Sequence, residues 1–388
     1  MSAPATSTAT GPLAGVRVLE IGGIGPGPFA AMMLADMGAD LLRIDRPGGG
    51  GLMGPENPRL NTLHRGRRSV VLDIRHPRGL KALLSLVETA DVLLETFRPG
   101  VAERLGIGPT ACHARNPDLV YARMTGWGQD GPLAHTAGHD LTYIARTGVL
   151  HAIGAPDAPV IPLNLVGDFG GGGAFAVIGI VSALYAVKCG APGQVVDAAI
   201  TDGTALLTTG IRQLMLTGDW SHRRGENLMD GGCPWYATYG TADGRHVAVA
   251  PLEPQFYGEL LRLLDLEEIA PLDRDDRGTW PLIRTALAKA FASRDLEHWD
   301  ALFSDSDACV APVRTFAEAE RDPQLLARGV LVEHDGILQP APAPRFSATP
   351  AQIQGTPPAT GADTREALTR WGLPDVDTLI ADGIAQQA

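Results

Sequence analysis

Four residues stand out by their types and neighbours. The stretch "AGHD" sets His139 and Asp140 side by side at the start of a helical pattern. "NLVGDFGGGG" sets Asp168 just before a run of glycines, and "APLEPQF" carries Glu253. An aspartate at a helix start is commonly a cap, and a single histidine is commonly structural, so each taken alone has an ordinary reading. Asp168 has more around it. An acid at a glycine-rich helix entry lies beside accessible backbone N–H groups and the positive end of the helix dipole, a place that can hold an oxyanion. A carboxylate, an imidazole and an oxyanion-binding helix start are the parts needed to remove a proton alpha to a carbonyl.

A second group is basic. Arg46, Arg75 and Arg98 each follow an apolar run, and Arg104 lies just beyond. If those runs are parallel strands, the four guanidinium groups emerge on one edge of a sheet, where their planar forks of donors suit phosphate. Arg65, Arg67 and Arg68 lie in the connection before the third run and are further candidates. The alternative for any one of these arginines is a solvated surface.

The elements that must position these residues alternate. Strands are expected over 16–21, 41–45, 70–74, 92–95 and 119–124, with helices over 28–37 and 77–89, each carrying proline in its first turn. Continuous apolar strands alternating with helices imply a parallel sheet covered on both faces, with ligands at the strand C-terminal edge. In "RVLEIGGIGPGPFAAMMLADMGADLLRIDRP" the first strand, turn, helix and second strand come close to a dinucleotide-binding fingerprint, with Asp45 where a ribose-binding acid would stand. Pro26 and Pro28 spoil the match, because they remove N–H donors that a diphosphate needs. A plain strand-to-helix turn and a wall for an adenine-containing ligand both remain open; a nicotinamide site is disfavoured. Several phosphates with adenine, but without a diphosphate cradle, fit coenzyme A.

The middle of the chain is expected to hold a helix from about residue 138, a glycine-rich turn feeding a long helix, and a short strand running into another long helix. From about residue 236 a smaller unit begins. It contains a hairpin-like stretch, helices near 255–264, 281–292 and 295–303, and the strand "DACVAPV". A polar helix over 315–328 and a last helix near 363–372 follow.

Bulk properties narrow the classes. The chain has 388 residues, 45% apolar and 20% charged, enough for two domains with a sizeable core. A formal net charge of -12 argues against nucleic acid or an anionic membrane as the main partner, while leaving room for a local basic site. Four scattered cysteines without a CxxC pair speak against a disulfide framework or a metal site, and for a reducing, cytoplasmic setting. Residues 1–11 read as a disordered tail rather than a signal peptide, the terminal "AQQA" is not a peroxisomal address, and the apolar run over 170–187 reads as a buried helix rather than a membrane span.

The stretches "GPLAGVRVLEIGGIGPGP", "GADLLRIDRP", "ETFRPGVAERLG", "YARMTGWGQDGP", "AGHDLTYIARTGVLHAIG", "PLNLVGDFGGGG", "GQVVDAAITDG", "LEPQFY", "SDACVAPV" and "PAPRFS" together resemble the family III coenzyme A-transferase superfamily and, within it, the alpha-methylacyl-CoA racemases. The glycine-rich linker through 48–54 is a stretch that varies in that family. The resemblance implies an α/β fold: a large Rossmann-like parallel-sheet domain (12–200 with 335–388), linker helices (201–235 and 315–334) and a smaller α/β domain (236–314). It also implies an interlocked homodimer with the active site at the subunit interface. It implies epimerisation of 2-methyl-branched acyl-CoA in lipid metabolism by 1,1-proton transfer through an enolate. His139 and Asp168 would be the two bases, Glu253 would orient His139 from the partner chain, and Asp140 would shape the same helix start. No cofactor is implied beyond the coenzyme A that is part of the substrate. Its nucleotide would meet Arg46, Arg75, Arg98, Arg104, Leu72, Asp73, Ile74, Thr96 and Phe97. Gly138 and Tyr143 would contact the thioester end. Leu206, Ile211, Leu214 and Met215 are candidates for the acyl surface, or else core. The alternative is a transferase in which Asp168 is the nucleophile; such enzymes usually lack the histidine that stands here as His139.

Overall fold

Six short apolar runs become parallel strands: β1 (Arg17–Ile21), β2 (Asp40–Asp45), β3 (Arg68–Leu72), β4 (Val92–Glu95), β5 (Val120–Thr125) and β6 (Val195–Ala199). In this computed structural model, which describes residues 10–49 and 57–388, they pair in the order β3-β2-β1-β4-β5-β6. A two-residue strand, Ala385–Gln386, runs antiparallel along the outer edge of β3. Most of the expected N-terminal tail and of the glycine-rich 48–54 loop lies outside the described residues.

Alternation decides how each strand is used. Leu19, Ile21, Leu42, Ile44 and Leu93 point to one face, where Leu83 and Leu86 of the Pro77–Val87 helix pack on them. Val18, Leu41, Val92 and Leu94 point to the other, against Ala30, Ala31 and Leu34 of the Pro26–Asp36 helix. Both faces are therefore dry, as a parallel sheet requires. The Pro26–Asp36 helix starts two residues earlier than its sequence pattern suggests. Gly25 precedes it at φ 69°, ψ -119°, a conformation open to glycine, and Pro26 and Pro28 both fall in the first turn. β3 lies two residues earlier than expected, because the Asp73 side chain ends it by accepting the backbone N–H of Arg75 at 3.0 Å.

The chain divides into two compact units. One holds the large sheet and comprises the residues up to 147 with 163–207 and 328–388; the other comprises 148–162 and 208–327. Residues 148–162, expected with the large domain, thus belong to the second unit, as do 208–235 and 315–327, expected as linkers. In the second unit, Ala237–Gly240, His246–Val249 and Val310–Pro312 form an antiparallel sheet. Helices Pro254–Leu263, Trp280–Phe291 and Leu296–Phe303 bury Leu260, Ile283, Leu287, Phe291 and Trp299 in its core. The polar helix expected over 315–328 is two helices, Phe316–Ala319 and Pro323–Arg328. Asp322 restarts the second by accepting the N–H of Gln324 and of Leu325 at 3.0 and 3.1 Å.

The glycine-rich turn expected around Asp168 is not a turn. Leu165–Ala174 forms a wide π-type helix, with the Phe169 N–H reaching back five residues to the Asn164 carbonyl at 3.2 Å, and it continues into the α-helix Phe175–Lys188. Its glycines permit close packing. A β-carbon at Gly171 would lie 2.3 Å from Thr204 Oγ1, and one at Gly173 would lie 2.7 Å from the Phe29 ring. The apolar helix expected to be buried is buried on one face only. Ala176, Val177, Ile180 and Ala183 are inside, while Ile178 and Tyr185 are 58% and 69% exposed. Taken together with the π-type segment, as Leu165–Lys188, it is among the described residues the one helix long and apolar enough to cross a membrane.

Candidate active site

Because the six strands are parallel, their C-terminal ends share one edge, and a cavity of about 940 Å³ opens there. Loops after β1, β4 and β5 wall it with Gly23–Pro26, Thr96–Pro99 and Thr125–Trp127. The starts of two later helices add Gly138, His139, Asp140 and Tyr143, and Asn164, Asp168 and Phe169. His139, Asp140 and Asp168, far apart in sequence, therefore line one space.

Two local interactions hold them. At the first helix start, the His139 backbone N–H donates to Thr142 Oγ1 at 3.0 Å and the Thr142 hydroxyl donates back to the His139 carbonyl at 2.7 Å. His139 itself is exposed and lines the cavity. Asp140, buried, does not cap its own helix with its side chain. Its Oδ1 accepts the backbone N–H of Asp168 at 2.8 Å. Of the backbone N–H groups expected beside Asp168 to hold an oxyanion, that of Asp168 itself is thus already donated. It also gives Asp140 a definite task, tying the start of the Asp140–Thr147 helix to the π-type helix. A β-carbon at Gly167 would sit 2.3 Å from Asp140 Oδ1, so that approach depends on glycine.

The electrostatics follow. Burial pushes the Asp168 carboxyl up to about 6, the Asp140 carboxylate adds to the rise, and the Asn164 amide and His139 pull the other way. A carboxyl in that range exchanges protons near neutrality, which a general acid–base group needs. Tyr143 stands above its ordinary value, through burial and then Asp168. Its ring packs edge-on to Trp127, centroids 4.7 Å apart, over Gly126 and Gly138, where β-carbons would collide with it.

Of the expected nucleotide contacts, Thr96, Phe97 and Arg98 line the cavity, as do Gly138 and Tyr143. Arg46, Leu72, Asp73, Ile74, Arg75 and Arg104 lie outside its lining. Arg46, Arg75 and Arg104 are exposed, while Leu72 is fully buried in the core, so its side chain is closed to a ligand. Arg65, Arg67 and Arg68 are committed to acids. Arg65 forks onto Asp36 at 3.1 and 2.6 Å, Arg67 pairs with Glu20 at 3.1 Å, and Arg68 pairs with Asp40. Asp45 accepts from Arg43 Nε at 3.0 Å.

Glu253 lies in the other unit, at the start of the Pro254–Leu263 helix, where its carbonyl accepts the Tyr257 N–H at 3.0 Å. Arg274 holds the preceding residue by donating to the Leu252 carbonyl at 3.2 Å. Of the acyl candidates, Leu206 and Met215 are exposed rather than core, at 59% and 38%, and neither lines the cavity.

Sequence reasoning missed Gly25, Asn164, Trp127 and Phe169 as parts of this site. Only Gly25 had a signal, as the second glycine of the Gly23-x-Gly25 turn just before Pro26. Its β-carbon position faces Asp168 Oδ2 at 3.3 Å.

Residues 13–364 match the model of CoA-transferase family III. The chain belongs to that family. It is 41% identical over 370 residues to an alpha-methylacyl-CoA racemase of Mus musculus, covering 95% of each chain. It is 40% identical over 364 residues to the alpha-methylacyl-CoA racemase of Homo sapiens, covering 93% of this chain and 94% of that one. Among solved structures, a CAIB/BAIF family protein from Brucella suis superimposes with a TM-score of 0.80 at 25% identity, covering 93% of this chain and all (100%) of that one. The fold is thus the family's α/β fold with its large parallel sheet.

Proposed function

We propose that this chain is an isomerase that interconverts the (2R) and (2S) forms of 2-methylacyl-CoA thioesters by 1,1-proton transfer. The observation that carries the reading is the placement of His139 and Asp168 on one cavity, with Asp168 held near the neutral range by burial and by Asp140. The similarity to two proteins named alpha-methylacyl-CoA racemase over nearly the whole chain supports the same chemistry.

In this mechanism one group removes the α-proton and the C–H electron pair flows into an enolate. A group on the opposite face then returns a proton, and configuration inverts. His139 and Asp168 are the pair, and they start a turnover in opposite protonation states, each acting as base in one direction. No electrons leave the substrate and no group is transferred, so the reaction needs no cofactor beyond the coenzyme A carried by the substrate. Arg98, Thr96 and Phe97 lie where a pantetheine or phosphate approaching this cavity would pass, and the exposed Arg46, Arg75 and Arg104 add positive charge at the same sheet edge for the nucleotide.

Glu253 orients His139 and stabilises its imidazolium from the partner chain of a homodimer. Large exposed apolar side chains support such a partner: Ile178 and Tyr185 on one long helix, Leu206 and Leu207 on the next, and Leu216 at 90%. All four cysteines are free, which supports the reducing, cytoplasmic setting.

The test is α-proton exchange of a 2-methylacyl-CoA in D2O. Deuterium incorporation with inversion is expected, and a native protein that incorporates none overturns the reading. A transferase using Asp168 as nucleophile is the alternative. It would move coenzyme A to a free carboxylate in a His139→Ala variant but not in Asp168→Ala.

A further inference from the structure

An ion cluster lies beneath the loop that faces Asp168. Glu20 on β1 is 2% exposed, yet it takes two guanidinium groups: Arg43 of β2 at 2.9 Å and Arg67, which precedes β3, at 3.1 Å. The Arg67 side chain is fully buried. Each arginine also reaches the stretch where β1 turns into the Pro26–Asp36 helix, while Arg67 Nη2 donates to the Leu63 carbonyl at 2.7 Å as well. Arg43 Nη2 donates to the Gly23 carbonyl at 3.3 Å, and Arg67 Nη2 donates to the Pro28 carbonyl at 2.7 Å. The turn is thus pinned at both ends by two cations that share one carboxylate. From above, Thr96 presses on it. A β-carbon at Gly23 would lie 2.1 Å from Thr96 Oγ1, and one at Gly27 would lie 2.3 Å from Thr96 Cγ2. Between the two pins stands Gly25, facing the Asp168 carboxylate.

Most of the other buried residues of β1, β2 and β3 are apolar, and packed apolar residues there serve a sheet at least as well as buried charge. What apolar residues cannot do is donate to the Gly23 and Pro28 carbonyls. We propose that Glu20, acting through Arg43 and Arg67, is a positioning residue for the proton transfer: it fixes the Gly23–Pro28 wall against Asp168 and so sets the approach of the substrate α-carbon to that carboxylate. The inference rests on the racemase reading above. Asp45, which also accepts from Arg43, His64, which lines the same stretch of cavity, and Asp36, whose charge acts on Arg67, are further ionisable groups around the clamp among the described residues.

The experiment compares wild type with Glu20→Gln, which keeps size and one acceptor but loses the charge. The α-exchange rate at saturating substrate is expected to fall roughly tenfold or more with little change in KM, because displacing a reacting group by about 1 Å costs up to about a hundredfold. Rehydration of Asp168 should also move the acid limb of the pH–rate profile to lower pH, which a merely structural role would not do. A folded Glu20→Gln variant with wild-type turnover and an unmoved profile overturns the proposal. If that variant does not fold, Arg67→Lys decides. Lysine keeps the charge near Glu20 but cannot reach both Glu20 and the Pro28 carbonyl, so the same fall is expected, and wild-type behaviour overturns the proposal. Backbone amide exchange over residues 22–29 reads the clamp without turnover. Faster exchange in the variants supports the clamp even if the wild type shows no α-proton exchange, an outcome that would remove the racemase reading alone; unchanged exchange counts against the clamp.

Discussion

Two carboxyl groups near the strand C-terminal edge hold their protons unusually well, and they differ in nearly everything else. Glu95, at the end of β4, is pushed up to about 7 by burial, against the pull of the Phe97 N–H and of Arg123. It is wholly enclosed. One oxygen accepts from Arg123 Nε at 3.1 Å and the other from the Phe97 backbone at 2.5 Å. Asp168 is only partly buried, opens on the cavity, and has a second carboxylate, Asp140, among the causes of its rise. Proton affinity alone therefore does not mark the reacting group. Glu95 has a cation and no access to substrate; Asp168 has access and a like-charged neighbour. Glu95 serves the site indirectly, by holding the loop that carries Thr96, Phe97 and Arg98.

The largest expected effect separates the two directly. Asp168→Asn removes a group proposed to carry the proton and should slow α-deuterium exchange by about 10²–10⁴-fold, whereas Glu95→Gln should leave exchange within about tenfold. Equal losses in two folded variants would erase the distinction. A smaller effect sharpens it. Asp140→Asn keeps an acceptor for the Asp168 N–H but removes the like charge, so the Asp168 carboxyl should drop below about 6 and the acid limb of the exchange profile should move to lower pH. A pH–rate series with an unmoved limb would show that burial alone sets Asp168. The smallest effect concerns stability. Glu95 is raised in the folded protein, so its contribution is fully present below its ordinary value of 4.5 and is lost as pH rises through about 7. Melting temperature followed across that window should fall for the wild type and be flatter for Glu95→Gln; parallel curves would mean that Arg123 keeps Glu95 ionised throughout.

Much of the large sheet was legible from sequence. β4 falls where its apolar run does, and β1, β2 and β5 start within one residue of theirs, because burial on both faces writes an unbroken apolar segment. The edge strand Ala385–Gln386 and the helix Val376–Ala381 were not legible, being too short to show a period. The glycine run after Asp168 read as a turn, since glycine is a turn residue by local preference. Only the crowding of Thr204 and Phe29 against it explains why the chain needs glycine inside a helix there. At the site, His139, Asp140 and Asp168 could be named from their neighbours. That Asp140 holds Asp168 could not, because the two lie on separate helices, 28 residues apart.

The arginines draw the boundary between the two kinds of information. By itself the sequence determined the alternation of strands and helices, the edge on which the loops gather, and the residue types able to move a proton, because hydrophobic periodicity, proline and glycine act locally. It could not tell Arg67, sealed under the Gly23–Pro28 turn with Glu20, from Arg46, exposed at the end of β2. Burial and charge pairing depend on which distant segments meet. Only the tertiary structure decided which guanidinium groups are buried against carboxylates and which are exposed.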